Sequence, residues 1–262
     1  MNRALRTASA GMGAQQLNVD TIAHNLANVN TTGFKKSRAE FQDLMYQTIK
    51  ASGGASGNAL RETNEIQVGT GTAPMATQKS FVQGDLQATS NPFDISIVGE
   101  GFFQIRKPDG TIAYTRDGSF KLSSDGTLVT SLGYVLEPGV SLSSDAQSFS
   151  VSRDGTVEVS DGSGDTPVRV AQLELAKFVN VAGLKAIGNN LFAETPASGA
   201  PMVGTAGTEG FGELQQGYLE SSNVDVVEEM VNMIVAQRAY EINSKTVKTV
   251  EDMLQIANNL KR

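Results

Sequence analysis

LANVNTTGFKKSRAEFQDL, residues 26–44, decides how this chain is read. Asn28 and Asn30 stand in an apolar frame, Thr31-Thr32-Gly33-Phe34 follows, and a basic run of Lys35, Lys36 and Arg38 comes next. Upstream, apolar residues recur every seven positions. Leu5, Met12, Val19 and Leu26 form one set, and Ala8, Ile22 and Val29 form the set three residues on, with Gln15 the polar exception. This is the a/d pattern of a coiled-coil seam sustained for about four heptads. An amphipathic helix packed on its own domain would carry the same pattern. Leu26 and Val29 close the seam, and the asparagines begin to loosen the helix. Gly33 falls where a helix takes its left-handed residue just past the C-terminus, with Phe34 as the apolar residue after such a cap. The three basic residues then lie close to the negative end of the helix and read as a solvated face. The stretch stops a long helix and sends the chain toward a second body.

The far end of the chain predicts a second helix. Ser222 is placed to cap it, and Asp225, Glu228 and Glu229 put negative charge in its first turns. No Gly or Pro interrupts the sequence from there to Arg262. Val231, Ile242 and Met253 are spaced by eleven, as are Val235, Thr246 and Ala257, and Ala239 with Val250. An eleven-residue repeat advances about 3.67 residues per turn, so the stripe should coil little or slightly right-handed. Two long amphipathic helices can pair, but their stripes exceed what one helix–helix contact buries. Burial in other subunits is the simplest way to cover the rest. The candidate self-assembly residues are Leu5, Met12, Val19, Ile22 and Leu26 on the first helix and Val227, Val231, Ile234, Ile242 and Met253 on the second.

Between the helices the signals change. Asp-Gly occurs at 109–110, 117–118, 125–126, 154–155 and 161–162, flanked by alternating or β-branched residues. Each is a hairpin signal. Residues 93–195 read as antiparallel β structure, and ASGGASGN at 51–58 and the Gly-, Ala- and Thr-rich 197–210 read as connecting loops. The fold class expected is α+β: paired terminal helices at 1–32 and 222–262, connecting segments at 33–85 and 205–221, and an antiparallel β domain at 86–204.

Composition narrows the function. At 262 residues the chain is long enough for a sizeable core, and its formal charge of −7 argues against a nucleic-acid binder, which needs a basic face. The charge is uneven: +3 over residues 1–50, −1 over 222–262 and −9 between. With no cysteine there is no disulfide and no thiol chemistry. Nothing approaches the length of an apolar membrane span. MNRALRTASAGMG has the basic start and small residues of a secretory signal but lacks its apolar middle, so no cleaved signal peptide is expected.

Chemistry is scarce. The single histidine, His24, sits inside the first helix and reads as a structural or interface residue. Asp154 with Glu158, or Glu228 with Glu229, could pair as acid and base, but most Asp residues of the middle sit in turns with a local backbone role. VGTGTAP at 68–74 and VGEGFF at 98–103 lack the form of a phosphate loop. No catalytic, cofactor or metal residues are predicted.

Three stretches carry a resemblance. LANVNTTGFKKSRAEF resembles the N-terminal signature of the rod and hook axial proteins of the bacterial flagellum, where a long helix ends in Ala-Asn…Thr-x-Gly-Phe-Lys. NPFDISIVGEGFFQIRKPDGTIAYTRDGSFKLSSDGTLVTSLGYVLEP is similar to their shared β core, and GYLESSNVDVVEEMVNMIVAQRAYEINSKTVKTVEDML to their C-terminal helix. The length leaves no room for the outer domain of a hook protein. Gln-Val-Gly-x-Gly at 67–71 and Gln-Gly-x-Leu-Gln-x-Thr at 83–89 resemble the distal-rod group rather than the proximal one, with modest departures at Phe93 and Ile97.

The resemblance implies a helical tube, with terminal helices lining the inside and the β domain facing out. It gives Asn28, Thr31, Gly33, Phe34 and Lys35 the part of a helix-end signature. It implies that residues around 44–73 brace adjacent subunits into a straight, stiff shaft that transmits torque. The partners implied are copies of the chain itself, proximal rod proteins, hook protein, and outer-membrane and peptidoglycan ring bushing proteins. The place implied is the basal-body rod crossing the periplasm, reached through the flagellar secretion channel. No cofactor, nucleic acid or small-molecule substrate is implied. A different class remains open: a secreted β-domain enzyme or carbohydrate-binding module with helical arms, monomeric and with its activity within 93–195.

Overall fold

The computed structural model describes residues 2–50, 66–142, 148–160, 167–208 and 210–260. It is α+β, with long helices at the two ends of the chain and antiparallel strands between them. The chain divides into two compact units: Met1–Leu26 with Ser37–Gln78 and Val226–Arg262, and Ala27–Lys36 with Lys79–Asp225. The connecting segments expected at 33–85 and 205–221 are shared out accordingly. Residues 37–78 go with the helices and 205–221 with the strands.

In the helical unit, α1 spans Asn2–Ala27 and α2 spans Val226–Asn259. Both ends set from sequence shift. Helix α1 stops at Ala27, six residues before Gly33, because Asn28–Thr32 turn back on themselves: the Thr31 amide donates to the Asn28 carbonyl at 3.1 Å, and the Thr31 hydroxyl to the Asn28 side chain at 3.2 Å. Helix α2 starts at Val226, four residues after Ser222, which is not its cap. The Asn223 side chain ties the chain before the helix to the Lys36 amide and to the Ser80 and Val82 carbonyls.

The residues that α2 buries repeat by seven rather than eleven. Glu229, Ala236 and Val250 are buried and Asn243 is half-buried, while Val231, Ile242 and Met253 are exposed. Two of those seven-spaced positions meet α1. The Asn25 amide donates to the Glu229 carboxylate at 3.1 Å, and a Cβ on Gly11 would lie 3.0 Å from the Asn243 amide nitrogen. From 25 back to 11 is the same count as from 229 forward to 243, so the two helices run antiparallel between these contacts. Strands β1 (Ser37–Asp43), β2 (Gln47–Lys50), β3 (Ile66–Val68) and β4 (Thr72–Lys79) pair as β1–β4 and β2–β3.

The β unit holds β5 (Leu86–Ala88), β6 (Ile95–Val98), β7 (Phe102–Arg106), β8 (Ile112–Thr115), β9 (Lys121–Leu122), β10 (Leu128–Val129) and β11 (Val135–Glu137). It continues with β12 (Ser148–Val151), β13 (Thr156–Ser160), β14 (Val168–Gln172), β15 (Glu174–Lys177), β16 (Lys185–Gly188), β17 (Leu191–Ala193), β18 (Met202–Thr205), β19 (Glu213–Gln216) and β20 (Tyr218–Glu220). The main sheet runs β16-β17-β8-β7-β11-β10-β9, with β15 also on β7 and β18 beyond it. Smaller sheets are β12-β13-β14, β19-β6 and β20-β5. Strand β7 is buried on both faces from Phe102 to Ile105, and Phe103 and Ile105 enter the large core while Phe102 enters a second, aromatic one. In that second core Phe102, Tyr114, Phe178 and Phe192 meet edge-on, with Tyr114 and Phe178 centroids 4.8 Å apart.

Three Asp-Gly pairs make the hairpins expected: 109–110 joins β7 to β8, 125–126 joins β9 to β10, and 154–155 joins β12 to β13. The pair at 117–118 does not, since β8 and β9 are not neighbours. There the chain presses against another strand, and a Cβ on Gly118 would lie 1.7 Å from the Ile95 carbonyl oxygen. The turn at 161–162 and the loop at 51–58 lie outside the described residues.

Candidate functional site

The candidate assembly residues of α2 share one side of the helix. Val227, Val231, Ile234, Val235 and Ile242 are 54–70% exposed, and Met253 and Ile256 continue the row. At about 3.6 residues per turn this stripe lies roughly 140° round from the buried row of Glu229, Ala236 and Val250. Helix α2 thus has two sides to cover, a mixed one of Glu229, Ala236, Asn243 and Val250 that its own chain covers and an apolar one that it leaves exposed. On α1, Ile22 is buried, as is Ala8, while Leu5, Met12, Val19 and Leu26 are half-buried. An exposed apolar row of this length is what a protein–protein interface needs and what a soluble monomer avoids.

The helix-end signature has a different role from the one read in the sequence. Gly33 does take a left-handed conformation, with φ of +66°. The reason is close approach: a Cβ there would lie 2.7 Å from the Asp117 amide nitrogen. Its own amide donates to the Glu220 carbonyl at 2.8 Å. Phe34 is buried, with the Lys79 ammonium 5.2 Å from its ring centre. Lys35 corrects the expectation of a solvated basic face. It is 1% exposed, its ammonium donating to the Glu220 carboxylate at 2.5 Å and to the Val82 carbonyl at 2.8 Å. Arg116 completes the cluster from the opposite oxygen of Glu220 at 3.5 Å, donates to the Gly99 carbonyl at 2.7 Å, and lies over the Phe102 ring.

Burial pushes the Lys35 ammonium below the usual lysine range, and the Glu220 carboxylate pulls it back up. Burial likewise lowers Arg116, against Glu220 and Glu100. Such a cluster holds segments together. Its one amine, Lys35, is sealed in the ion pair, and among the described residues no second carboxylate is hydrogen-bonded to Glu220 to make an acid–base pair. Asp154, weighed as a possible acid, serves its own turn: hydrogen bonds from the Thr156 amide and hydroxyl hold its carboxyl below the usual range. His24 lies exposed on α1. Among the described residues no three His, Asp or Glu side chains group as a metal site, and no helix is long and apolar enough to cross a membrane.

Arg116, Glu220, Asn223 and Asn25 were not singled out from sequence, and Glu229 was read only as first-turn charge and as a possible acid–base partner of Glu228. Glu220 left one trace, a lone charge after Tyr218-Leu219 in GYLESS.

Comparison with known proteins assigns the family. Residues 5–35 match the family model described as flagella basal body rod protein, 96–159 that of the flagellar hook protein FlgE/F/G D1 domain, and 215–260 that of the flagellar basal body rod FlgEFG protein C-terminal. The flagellar basal-body rod protein FlgG of Borreliella burgdorferi is 55% identical over 265 residues, covering all of both chains. The chain belongs to the FlgG family of flagellar basal-body rod proteins. Its FlgG relatives in Caulobacter vibrioides, at 46% identity and 99% of each chain, and in Bacillus subtilis, at 43% and 100% of each, align end to end as well. The first and last FlgG matches enclose the candidate residues described above: the 5–35 block runs from Leu5 to Lys35, and the 215–260 block contains Glu220 and all of α2.

Proposed function

We propose that this chain is a structural subunit of the flagellar basal-body rod, and not an enzyme, which self-assembles through its terminal helices into the distal rod. Helices α1 and α2 pair as a coiled-coil-like core, and copies stack into a helical tube with that core inside. The terminal helical domain, 1–32 and 222–262, builds the tube, and the β domain at 86–204 faces outward, joined through 33–85 and 205–221. The observation that carries this reading is the apolar side of α2, which one chain leaves open. Leu5, Met12, Val19 and Leu26 with Val227, Val231, Ile234, Ile242 and Met253 form the subunit contacts, while Ile22, buried within one chain, packs α1 beneath them. Close-packed interfaces repeated along a tube resist twisting, and that suits a shaft carrying torque to the hook. The partners are proximal rod proteins, hook protein and ring bushing proteins. The place is the rod across the periplasm, reached by flagellar export without a cleaved signal peptide.

The test is sedimentation with electron microscopy of the intact chain beside Ile234→Asp. The exposed Ile234 tolerates a charge within one chain, so the variant folds, as circular dichroism will show. In the tube the same charge is buried and unpaired, costing several kcal/mol at every subunit. Filaments from the parent and none from the variant support the reading. Equal assembly by both would sink it.

A further inference from the structure

The chain enters the β unit at Ala27 and again at Lys79, and leaves it after Lys36 and after Asp225. Three of these passages converge on one residue. Glu220 Oε1 accepts from Lys35 Nζ at 2.5 Å and from the Gly84 amide at 2.9 Å, while its backbone carbonyl accepts from the Gly33 amide. Beside it, Asn223 Oδ1 accepts from the Lys36 amide at 2.8 Å, and Asn223 Nδ2 donates to the Ser80 and Val82 carbonyls at 2.9 and 3.0 Å. The Ser80 amide donates to the Lys36 carbonyl at 2.9 Å. Segments 33–36, 80–84 and 220–223 are thus laced together by polar bonds, with Phe81 also seated against Phe102 and Phe192 of the aromatic core.

We propose that Glu220, with Lys35, Arg116 and Asn223, is a mechanical clamp that takes up force applied to the chain where it leaves the β unit, before the strands of the core bear it. The contacts lie wholly within the β unit and stand without the rod reading. Their use, passing load from terminal helices to strands, rests on that reading. The physical argument concerns which bonds can slide. Apolar contacts are non-directional and do not by themselves fix the register of one segment against another. Hydrogen bonds fail steeply with distance and angle, so they fix register. Surface ion pairs would do this poorly, being screened by salt and worth little. Glu220, Lys35 and Arg116 are sealed from water, with side-chain exposures of 0%, 0% and 5%, and salt screens the cluster far less than it screens a surface pair. Separating one partner leaves buried charge uncompensated, which is strongly unfavourable.

The experiment pulls the full chain by its two ends in a single-molecule force instrument. It compares the parent with Glu220→Gln, Asn223→Ala and Leu173→Ala, and measures the denaturant midpoint of each. Leu173 is a buried core residue of the β unit outside the cluster. Loss of the force peak for β-unit opening in Glu220→Gln and Asn223→Ala, with the peak kept in Leu173→Ala at an equal or larger drop in midpoint, supports the clamp. Force peaks that simply follow the midpoint in all three variants, or an unchanged peak in Glu220→Gln, overturn it. If Glu220→Gln does not fold, Asn223→Ala against Leu173→Ala decides by the same criterion. Failure of the rod reading shows separately, as absence of filaments from the parent in sedimentation, and leaves the force result standing.

Discussion

Asn25 near the end of α1 and Glu229 in the first turn of α2 are hydrogen-bonded at 3.1 Å, both buried. The same Asn25 side chain also accepts from the Ser37 amide at 2.9 Å and donates to the Ser37 carbonyl at 2.8 Å, so one amide fixes both helices to the start of β1. Asn25→Ala removes all three bonds and leaves the Glu229 carboxylate buried without this donor. Hydrogen bonds to charged groups contribute about 1.5–3 kcal/mol, and a loss in that range is expected for the helical unit. Thermal melting followed by helical circular dichroism checks it, and an unchanged melting temperature would contradict the reading.

Ile22 and Ile234 make opposite predictions from the same substitution. Ile22 is buried within one chain, whereas Ile234 is exposed. Ile22→Asp therefore costs several kcal/mol of helical-unit stability in the monomer itself. Its helical signal should melt far below that of Ile234→Asp, which loses assembly alone. Matching melts for the two variants would mean that the buried and open sides of the helices are misassigned.

Gly33→Ala tests whether close approach or helix capping makes this glycine necessary. A left-handed alanine costs about 1–2 kcal/mol, and the added Cβ must also displace the Asp117 amide, 2.7 Å away. Denaturant unfolding should show the β unit losing more than that conformational cost, with the helical signal little changed. A loss confined to the helices would restore the capping role.

Tyr114 gives a pH dependence with a definite sign. Burial, and then the Glu194 carboxylate, push its hydroxyl up to about 12 from an ordinary 10.0. Between those values the folded state holds a proton that the unfolded state has lost, so the contribution is full below pH 10 and fades as pH climbs toward 12. Tyr114→Phe should flatten this alkaline decline, measured as denaturant midpoint against pH. An equally steep decline in the variant would place its origin elsewhere.

The α1 row was legible because its apolar members, Ala8 and Ile22 among them, repeat at seven. The α2 row was not, because Glu229 and Asn243 occupy two of its four seven-spaced positions and an apolar count passes over them. What an apolar count found on α2 instead was the exposed side. The three Asp-Gly hairpins were legible from local turn chemistry alone. The fourth was not, since Gly118 answers to the Ile95 backbone of a different strand. Lys35 was misread for the same kind of reason. Its charge is settled by a carboxylate 185 positions away, and nothing in FKKSR distinguishes it from Lys36.

The Ser80 carbonyl and the Asn223 side chain, 2.9 Å apart, stand where the polypeptide goes into the β unit for its long passage and where it comes out. A doorway this narrow makes everything behind it replaceable. Doubling a flexible loop whose ends are already together adds only about 0.6 kcal/mol of closure entropy. A larger, smaller or unrelated body could therefore be spliced behind the same two residues without redesign of the helical unit.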